Sequence, residues 1–344
     1  MYFYVMSKIT FTLVLSCLAL IVGIQDLSAQ QITAPMKQHT LVRPPYLKVG
    51  DTVAIVAPSG VLKNKNAEIQ YAQDLLKSWG LHSVLGQNLY TDANHFAGTD
   101  AQRAADFQKA MDDPTISAIW SARGGYGAVR ILDKLDYTKF KNKPKWVIGY
   151  SDITALHNQL HNEGFESLHA VMAAGITTDL KGIEESVATF KDAIFGKPLA
   201  YTLEGSIFNR VGKASGELVG GNLTLLHSML GSKTNIDTSG KIIFIEEVGE
   251  HLYHVDRMLQ SLKRAGYFDN CKGVLVGDFS NTRQNTTPWG SGIEQLILDA
   301  LADYDFPIAF EMPAGHEDDN HALIFGRNIE LAVTKEGTTV KFDK

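Results

Sequence analysis

Short apolar segments alternate with helical patterns in the first half of the chain, and this alternation constrains the fold more than any other feature. The predicted strands are 51–60 with its closing turn, 82–85, 116–121, 146–149 and 167–172. The predicted helices are 66–79, 100–111, 128–135 and one that begins at Asp152. Strands that alternate with helices favour a parallel sheet covered on both faces, with a site at the carboxyl ends of its strands. We therefore predict an α/β N-terminal domain over residues 46–178.

The rest of the chain follows a different pattern. Residues 179–215 are loosely patterned around one helical stretch, 184–195, and we interpret them as a linker. Beyond them the predicted helices are 221–230, 255–265 and 293–302, and the predicted strands are 241–248, 273–278, 308–311, 323–326, 329–333 and 339–342. This mixture predicts a second, β-rich domain of α+β character over residues 216–344.

The N-terminus has the composition of a targeting segment. Lys8 precedes an apolar run from Ile9 to Ile24, and Leu27-Ser28-Ala29 offers small residues for a signal peptidase. The run is short for a membrane crossing, which needs about 20 residues. We therefore predict a signal peptide at 1–29, a tether at 30–45, export to the periplasm and no stable membrane insertion after processing. A retained N-terminal anchor is the alternative.

Charge and cysteine content narrow the class of protein further. Lys and Arg number 32 and Asp and Glu 38, so the formal charge is 32 − 38 = −6, and no long run of one sign occurs. Nucleic-acid binding calls for a basic face, so we predict no nucleic-acid partner. Cys17 and Cys271 are the only cysteines. Removal of residues 1–29 would leave Cys271 alone, which rules out an internal disulfide and favours a large packed core.

The corner at Ser151 is the first candidate for chemistry. The strand 146–149 runs directly into a predicted helix, and Ser151 lies between them. Such a turn holds a hydroxyl above a sheet, next to helix amides that have no partner within the helix and suit an oxyanion. Ile153 stands where the G-x-S-x-G pattern has its second glycine, so the pattern is incomplete. A serine that only caps the helix fits this position equally well.

Three other segments place reactive residue types near predicted strand ends. The glycines in 123–127 would let a backbone amide approach a ligand closely, so this segment is a candidate for one arm of an oxyanion hole. A tight strand-to-helix turn explains the same glycines. Glu246 and Glu247 end an apolar strand and point to opposite faces, so one of them can orient a histidine. His316 lies in the acidic loop 313–321, where it is either a general base or a solvated side chain.

Two histidines have the spacing of zinc ligands. His157 and His161 stand at i and i+4 of a predicted helix, but Asn158 replaces the glutamate of the H-E-x-x-H pattern. No third ligand is evident nearby in sequence. We therefore predict no metal and no other cofactor, and we keep a zinc hydrolase as a minor alternative.

Taken together, these segments resemble the LD-carboxypeptidase family of serine peptidases. The motifs that carry the resemblance are Val-Ala-Pro-Ser-Gly at 56–60, Ala-Arg-Gly-Gly-Tyr-Gly at 122–127, Gly-Tyr-Ser-Asp-Ile-Thr at 149–154, Gly-Gly-Asn-Leu-Thr at 220–224, Phe-Ile-Glu-Glu at 244–247 and Gly-His at 315–316. They occur in the family's order and cover the chain from about Pro44 to its end. The resemblance implies a flavodoxin-like N-terminal domain, a smaller C-terminal domain and a site between them.

The resemblance also implies an activity and its residues. The family's catalytic serine, glutamate and histidine fall on Ser151, Glu246 and His316, and its oxyanion-hole amides fall on Asp152 and Gly125. The implied reaction releases the terminal D-alanine from a murein tetrapeptide, without metal or cofactor. Relatives suggest a homodimer.

Substrate contacts are less constrained by the sequence. Arg123 is a candidate to bind the terminal carboxylate of the substrate, and Tyr126 is a candidate substrate contact.

Two departures from the family keep other functions open. The segment 167–172 reads Ser-Leu-His-Ala-Val-Met where many relatives have His-Gly-Pro, and the apparent signal peptide is unlike the cytoplasmic members. One alternative is a microcin C-type peptidase that cleaves aminoacyl-nucleotide conjugates, with Tyr126 and Trp289 as aromatic contacts. Another is a non-catalytic periplasmic binding protein, which also has two lobes and a cleft.

Overall fold

The computed structural model describes residues 41–344, which form one unit of the chain. The predicted signal peptide, 1–29, and most of the predicted tether lie outside the described residues. Within 41–344, every helix is too short or too polar to cross a membrane.

Thirteen strands and eight α-helices make up the described part of the chain. The strands are β1 (Thr52–Val56), β2 (His82–Leu85), β3 (Ile116–Ser121), β4 (Trp146–Gly149), β5 (Ser167–His169), β6 (Ala200–Glu204), β7 (Gly212–Asn222), β8 (Ile242–Val248), β9 (Gly273–Ser280), β10 (Ile308–Ala309), β11 (Leu323–Phe325), β12 (Asn328–Val333) and β13 (Gly337–Phe342). The helices are α1 (Asn66–Ser78), α2 (Asp100–Asp112), α3 (Thr138–Asn142), α4 (Thr154–Asn162), α5 (Glu184–Ile194), α6 (Leu223–Ser228), α7 (Leu252–Arg264) and α8 (Ile293–Ala300).

The first sheet confirms the predicted α/β architecture. Its order is β11-β5-β4-β3-β1-β2, and β5, β4, β3, β1 and β2 run parallel. This is the flavodoxin-like order, in which ligands bind beyond the carboxyl ends of the strands. Trp120 on β3 and Trp146 on β4 are fully buried, so their large apolar surfaces anchor the sheet in the core. Ser151 follows β4 at this carboxyl edge.

The second sheet has seven strands in the order β10-β9-β8-β7-β12-β13-β6. Strands β7 to β10 pair in parallel, whereas β12, β13 and β6 extend the sheet in antiparallel fashion. Helix α7 buries Leu252, Val255, Leu259 and Leu262. These positions recur every three or four residues, which is the spacing that presents one apolar face to a sheet.

Several predicted elements differ from the structure. The predicted helix 128–135 is two 3₁₀ turns, Ala128–Arg130 and Leu132–Lys134. The predicted linker 179–215 contains β6 and the beginning of β7, which is the longest strand. Glycines at 212, 216, 220 and 221 weaken the strand signal of β7 and allow its close contacts with neighbouring chain segments. Helix α6 consequently begins at Leu223 and not at Gly221.

The two sheets share chain segments. Strand β11 belongs to the second half of the sequence, but it pairs antiparallel with β5 of the first sheet. Next to it, the Arg327 guanidinium donates from Nε to Glu166 Oε1 at 3.1 Å, and both side chains are buried. Arg327 Nη1 also donates to Tyr46 Oη at 3.0 Å. These contacts join the two halves of the chain. The domain boundaries proposed from the sequence stay a prediction.

Candidate active site

Ser151 lies on a strained corner at the end of β4. Its φ is +62°, a left-handed conformation that costs a residue other than glycine about 1–2 kcal/mol. The corner is also crowded, because a Cβ on Gly149 would lie 2.9 Å from Ile153 Cγ1 and 3.1 Å from Ser121 Cβ. Ser151 opens the 3₁₀ turn Ser151–Ile153, which leads into α4. The structure therefore fixes where the hydroxyl points before any ligand binds.

The hydroxyl of Ser151 is engaged with a histidine and does not cap the helix. Ser151 Oγ lies 2.9 Å from His316 Nε2, and His316 Nδ1 lies 2.6 Å from Glu246 Oε2. Among the described residues, no side chain caps the 3₁₀ turn or α4. Ser151 comes from the turn after β4, Glu246 from β8 and His316 from the loop after β10. His316 is 165 positions from Ser151 and 70 from Glu246 in sequence. Folding thus brings together the serine, histidine and glutamate that the sequence proposes.

The charges around His316 favour its protonated form. Burial alone would lower the pKa of His316, but the hydrogen bond and charge of Glu246 oppose this, with further help from Glu247 and Asp278, and the pKa ends up raised. The side chain of Glu246 is fully buried, which strengthens its attraction for a proton on the imidazole. A carboxylate on Nδ1 also keeps that nitrogen protonated and leaves Nε2 free to accept a proton from Ser151.

The glycine loop 123–127 packs directly against Ser151. A Cβ on Gly124 would lie 3.2 Å from Ser151 Cβ and 3.4 Å from its Oγ, so a larger residue here would crowd the serine side chain. Gly60 donates its N–H to Gly124 O at 3.0 Å, which ties the glycine loop to the loop after β1. Gly125 follows with a φ of +99°. The two amides predicted for the oxyanion hole therefore belong to residues next to this contact: Asp152 follows Ser151, and Gly125 follows Gly124.

The Asp152 side chain has a role that the sequence did not reveal. Its Oδ2 accepts hydrogen bonds from Ser59 Oγ at 2.5 Å and from the Ala128 N–H at 2.8 Å. The carboxyl is fully buried, and this burial raises its pKa, although the two donors oppose the change. One side chain therefore connects the nucleophile turn to the loops after β1 and β3. Ser59 lies in the motif at 56–60, which was the available signal for this network.

A second buried network holds the histidine loop. Asn320 Oδ1 accepts from the Gly315 N–H at 3.0 Å and lies 2.8 Å from His169 Nε2 on β5. Burial lowers the pKa of His169 to about 3, so this ring is neutral at physiological pH and donates from Nε2. The residue before His316 is thus attached to the first sheet. This link is also absent from the sequence reasoning, because Asn320 is part of an unremarkable polar loop.

Asp278 flanks the same loop from β9. Its backbone N–H donates to Ala314 O at 3.0 Å, and its Oδ2 accepts from the Glu317 N–H at 3.3 Å. These two bonds lie on either side of Gly315 and His316. Burial is the main cause that raises the pKa of Asp278 to about 6.

The remaining candidates occupy less central positions. Arg123 is exposed and donates from Nη1 to Val61 O at 2.7 Å, so it braces the glycine loop and retains further N–H groups. Tyr126 is 46% exposed and packs near the ring of Phe96, with centroids 5.9 Å apart. Cys271 is buried, and this burial raises its thiol pKa to about 12, which agrees with a packing role.

The histidines with zinc-like spacing are used in the protein interior. His157 Nδ1 lies 2.8 Å from Ser167 Oγ, and its Nε2 lies 2.8 Å from Gly149 O. Burial lowers the pKa of His157 to about 4. His161 pairs instead with Glu217, at 3.2 Å. His157 therefore links the end of β4, through Nε2, to the start of β5, through Nδ1. Within 41–344 no group of three or more metal-binding side chains is assembled.

Comparison with protein families covers most of the described chain. The model of the LD-carboxypeptidase N-terminal domain matches residues 53–170, and the model of the LD-carboxypeptidase C-terminal domain matches residues 215–331. A probable murein peptide carboxypeptidase of Bacillus subtilis is 35% identical over 305 residues, which are 87% of this chain and 93% of that protein. The murein tetrapeptide carboxypeptidase of Pseudomonas aeruginosa is 27% identical over 81% of this chain and 92% of that protein.

Solved structures share the whole fold. The muramoyltetrapeptide carboxypeptidase of Oxalobacter formigenes superposes with a TM-score of 0.77 at 27% identity, covering 85% of this chain and 99% of that one. The self-immunity protein MccF, solved with glutamyl sulfamoyl guanosine, has a TM-score of 0.78 at 21% identity over 88% of this chain and 98% of that one. At that identity the second likeness concerns the fold alone.

Proposed function

Since this chain belongs to the LD-carboxypeptidase family of serine peptidases, we propose that it releases the terminal D-alanine from murein tetrapeptides with Ser151 as nucleophile. The chain is a serine-type carboxypeptidase, a hydrolase of peptide bonds, and family membership sets aside the binding-protein alternative. The observation that carries the proposal is the placement of His316 between Ser151 Oγ and Glu246 Oε2, at 2.9 and 2.6 Å. The substrate is proposed from the names of the relatives.

Acylation begins with proton transfer from serine to histidine. A serine hydroxyl is barely ionised at neutral pH, so it needs a base within hydrogen-bond reach. His316 Nε2 accepts the proton as Ser151 Oγ attacks the carbonyl carbon of the scissile amide. Glu246 holds the opposite nitrogen and stabilises the imidazolium that forms. His316 then gives the proton to the departing amine, and D-alanine leaves.

The charge that develops on the substrate oxygen needs donors. The amides of Asp152 and Gly125 are proposed to supply them, because one residue follows the nucleophile and the other continues the loop that packs on it. Each such donor contributes on the order of 3 kcal/mol to the transition state. In the second half of the reaction, His316 takes a proton from water, the hydroxide attacks the acyl carbon, and Ser151 Oγ recovers its proton.

A carboxypeptidase must also recognise the free terminus of its substrate. We propose Arg123 for the terminal carboxylate, because its exposed guanidinium adjoins the glycine loop and uses only Nη1 in the bond to Val61. Tyr126 is proposed as a neighbouring substrate contact. Export to the periplasm after removal of residues 1–29 would bring the enzyme to cell-wall peptides, and both this location and a homodimer are part of the proposal.

The test is product analysis by mass spectrometry with a purified murein tetrapeptide. The wild type should yield the tripeptide and free D-alanine, and Ser151→Ala should lower kcat by at least a thousandfold. Ser228→Ala serves as the matched control, because Ser228 is an exposed helical serine that donates to Thr224 O. Product formation should also be unchanged by EDTA. Full activity of Ser151→Ala, or loss of activity with EDTA, would contradict the proposed chemistry.

A further inference from the structure

Arg103 is a buried charged residue to which the proposed mechanism gives no role. It lies in the first turn of α2, and its side chain is fully buried. Its Nη1 donates to Pro58 O and also to Gly127 O, the second at 2.9 Å. Asp100 pairs with its Nη2, so the buried charge has a partner. One side chain therefore joins the loop after β1 to the end of the glycine loop 123–127.

A second buried side chain joins the same two segments. Asp152 Oδ2 accepts from Ser59 Oγ at 2.5 Å and from the Ala128 N–H at 2.8 Å. Ser59 and Ala128 directly follow the two residues whose carbonyls Arg103 binds. Ser59 and Asp152 are both fully buried, and hydrogen bonds to charged groups are stronger away from water. We call these three side chains the Ser59–Arg103–Asp152 network.

The guanidinium of Arg103 is enclosed by packing as well as by hydrogen bonds. A Cβ on Gly127 would lie 2.8 Å from Arg103 Nη1, and the φ of Gly127, +141°, also favours glycine. The ring of Phe96 covers the other side, with its centroid 4.9 Å from Arg103 Cζ. The orientation of the guanidinium is therefore fixed in the folded protein.

The segments that the network joins carry the amides proposed for the oxyanion hole. One of these amides belongs to Asp152 itself. The other belongs to Gly125, which lies outside the helices and strands, so its position depends on loop contacts. Gly60, directly after Ser59, donates its N–H to Gly124 O at 3.0 Å. A Cβ on Gly125 would lie 3.6 Å from Gly60 Cα, so these two backbones are in contact.

From these contacts we infer that the Ser59–Arg103–Asp152 network consists of positioning residues for catalysis, which hold the two proposed amides where the substrate oxyanion forms. The inference rests on the proposed function, and it adds what aligns the oxyanion hole. Donors that are already aligned stabilise the developing charge without reorienting during the reaction. A misplacement of about 1 Å can lower a rate about a hundredfold. Loss of the network should therefore lower kcat and leave KM nearly unchanged.

The experiment compares D-alanine release from a murein tetrapeptide and from the same peptide with a thioamide at the scissile bond. Sulfur is larger than oxygen and accepts weaker hydrogen bonds, so we expect the wild type to prefer the oxygen substrate in kcat/KM about a hundredfold. Arg103→Met should lower kcat for the oxygen substrate about a hundredfold, with KM changed by less than threefold, and should reduce the preference to about tenfold. Arg103→Lys can still donate to one of the two carbonyls and should recover part of both effects.

Ser59→Ala is a milder variant that tests the same network if Arg103→Met fails to fold. It removes one donor to Asp152, and it should lower kcat about tenfold and weaken the preference for oxygen. Arg327→Met is the matched control. Arg327 is also a buried arginine, but its partner Glu166 precedes β5, at the amino edge of the first sheet and away from the carboxyl edge that holds Ser151. Arg327→Met should lower the melting temperature and leave kcat and the preference for oxygen unchanged.

The outcomes separate the positioning role from the proposed function. No preference for oxygen in the wild type, or an unchanged preference in the folded Arg103 and Ser59 variants, would overturn the positioning role. An equal loss of the preference in Arg327→Met would also overturn it. D-alanine release that depends on Ser151 would still uphold the proposed function in each of these cases. Cleavage of neither substrate by the wild type would overturn both.

Discussion

Replacing Glu246 by glutamine should nearly abolish turnover while preserving the fold. The substitution keeps the size of the side chain but removes a buried charge that lies 2.6 Å from His316 Nδ1. With charge centres about 4 Å apart and an effective dielectric of about 20, that charge stabilises the imidazolium by about 4 kcal/mol. A loss of this size corresponds to about a thousandfold in kcat.

The amide of glutamine adds a second penalty. If its NH₂ group faces His316 Nδ1, the ring must carry its proton on Nε2, and it then cannot accept the proton of Ser151. We therefore expect kcat for D-alanine release at pH 8 to fall by a thousandfold or more, with KM changed by less than threefold. Circular dichroism and the melting temperature should show a folded protein.

The adjacent residue provides a matched control for Glu246. Glu247 is also buried, but it accepts bonds from Asn222 Nδ2 at 3.1 Å and from the Thr224 N–H at 2.8 Å. Glu247→Gln would bring an amide NH₂ towards one of these donors, and we expect it to lower stability by about 1–3 kcal/mol with less than a tenfold change in kcat. A fall in kcat of less than tenfold for Glu246→Gln, or equal effects of the two substitutions, would refute the assignment of Glu246.

Further predictions concern pH dependence and stability. His316 must be neutral to accept a proton, so kcat/KM should rise with pH through its raised pKa. Asp278→Asn removes a negative charge that raises this pKa, and the acidic limb of the pH–kcat/KM profile should therefore move to lower pH. An unmoved limb would contradict the coupling between Asp278 and His316. Arg327→Met leaves Glu166 buried without its main partner. This substitution should lower the free energy of unfolding, measured in urea, by about 3 kcal/mol. That is the lower end of the usual cost of breaking a buried ion pair, because Arg43 Nε remains 3.6 Å from Glu166 Oε2. Adding Glu166→Gln should recover part of the loss.

The parallel first sheet was predictable because β1, β3 and β4, at its centre, are short apolar runs bounded by turn residues. The prediction missed β7, because its four glycines dilute the strand pattern. Its first four residues were assigned to the linker, and its last two to a helix. The prediction also failed after Gly127, where two 3₁₀ turns replace a predicted helix. The pairing of β11 with β5 depends on a return of the chain to the first sheet, which local patterns do not encode.

The candidate site shows the same division between local and long-range information. Residue type and motif order were enough to propose Ser151, Glu246 and His316, but their mutual distances arise only in the folded chain. The sequence assigned a role only to the backbone amide of Asp152, because Ser59, the partner of its buried carboxyl, lies 93 positions away.

Covalent labelling of the nucleophile tests the central claim most directly. A phosphonate analogue of a peptide that ends in D-alanine reacts with an activated serine, and peptide mapping by mass spectrometry locates the adduct. The account predicts a single adduct on Ser151 that forms at least a hundredfold more slowly in His316→Ala. An adduct on another residue, or an unchanged labelling rate in His316→Ala, would contradict the account.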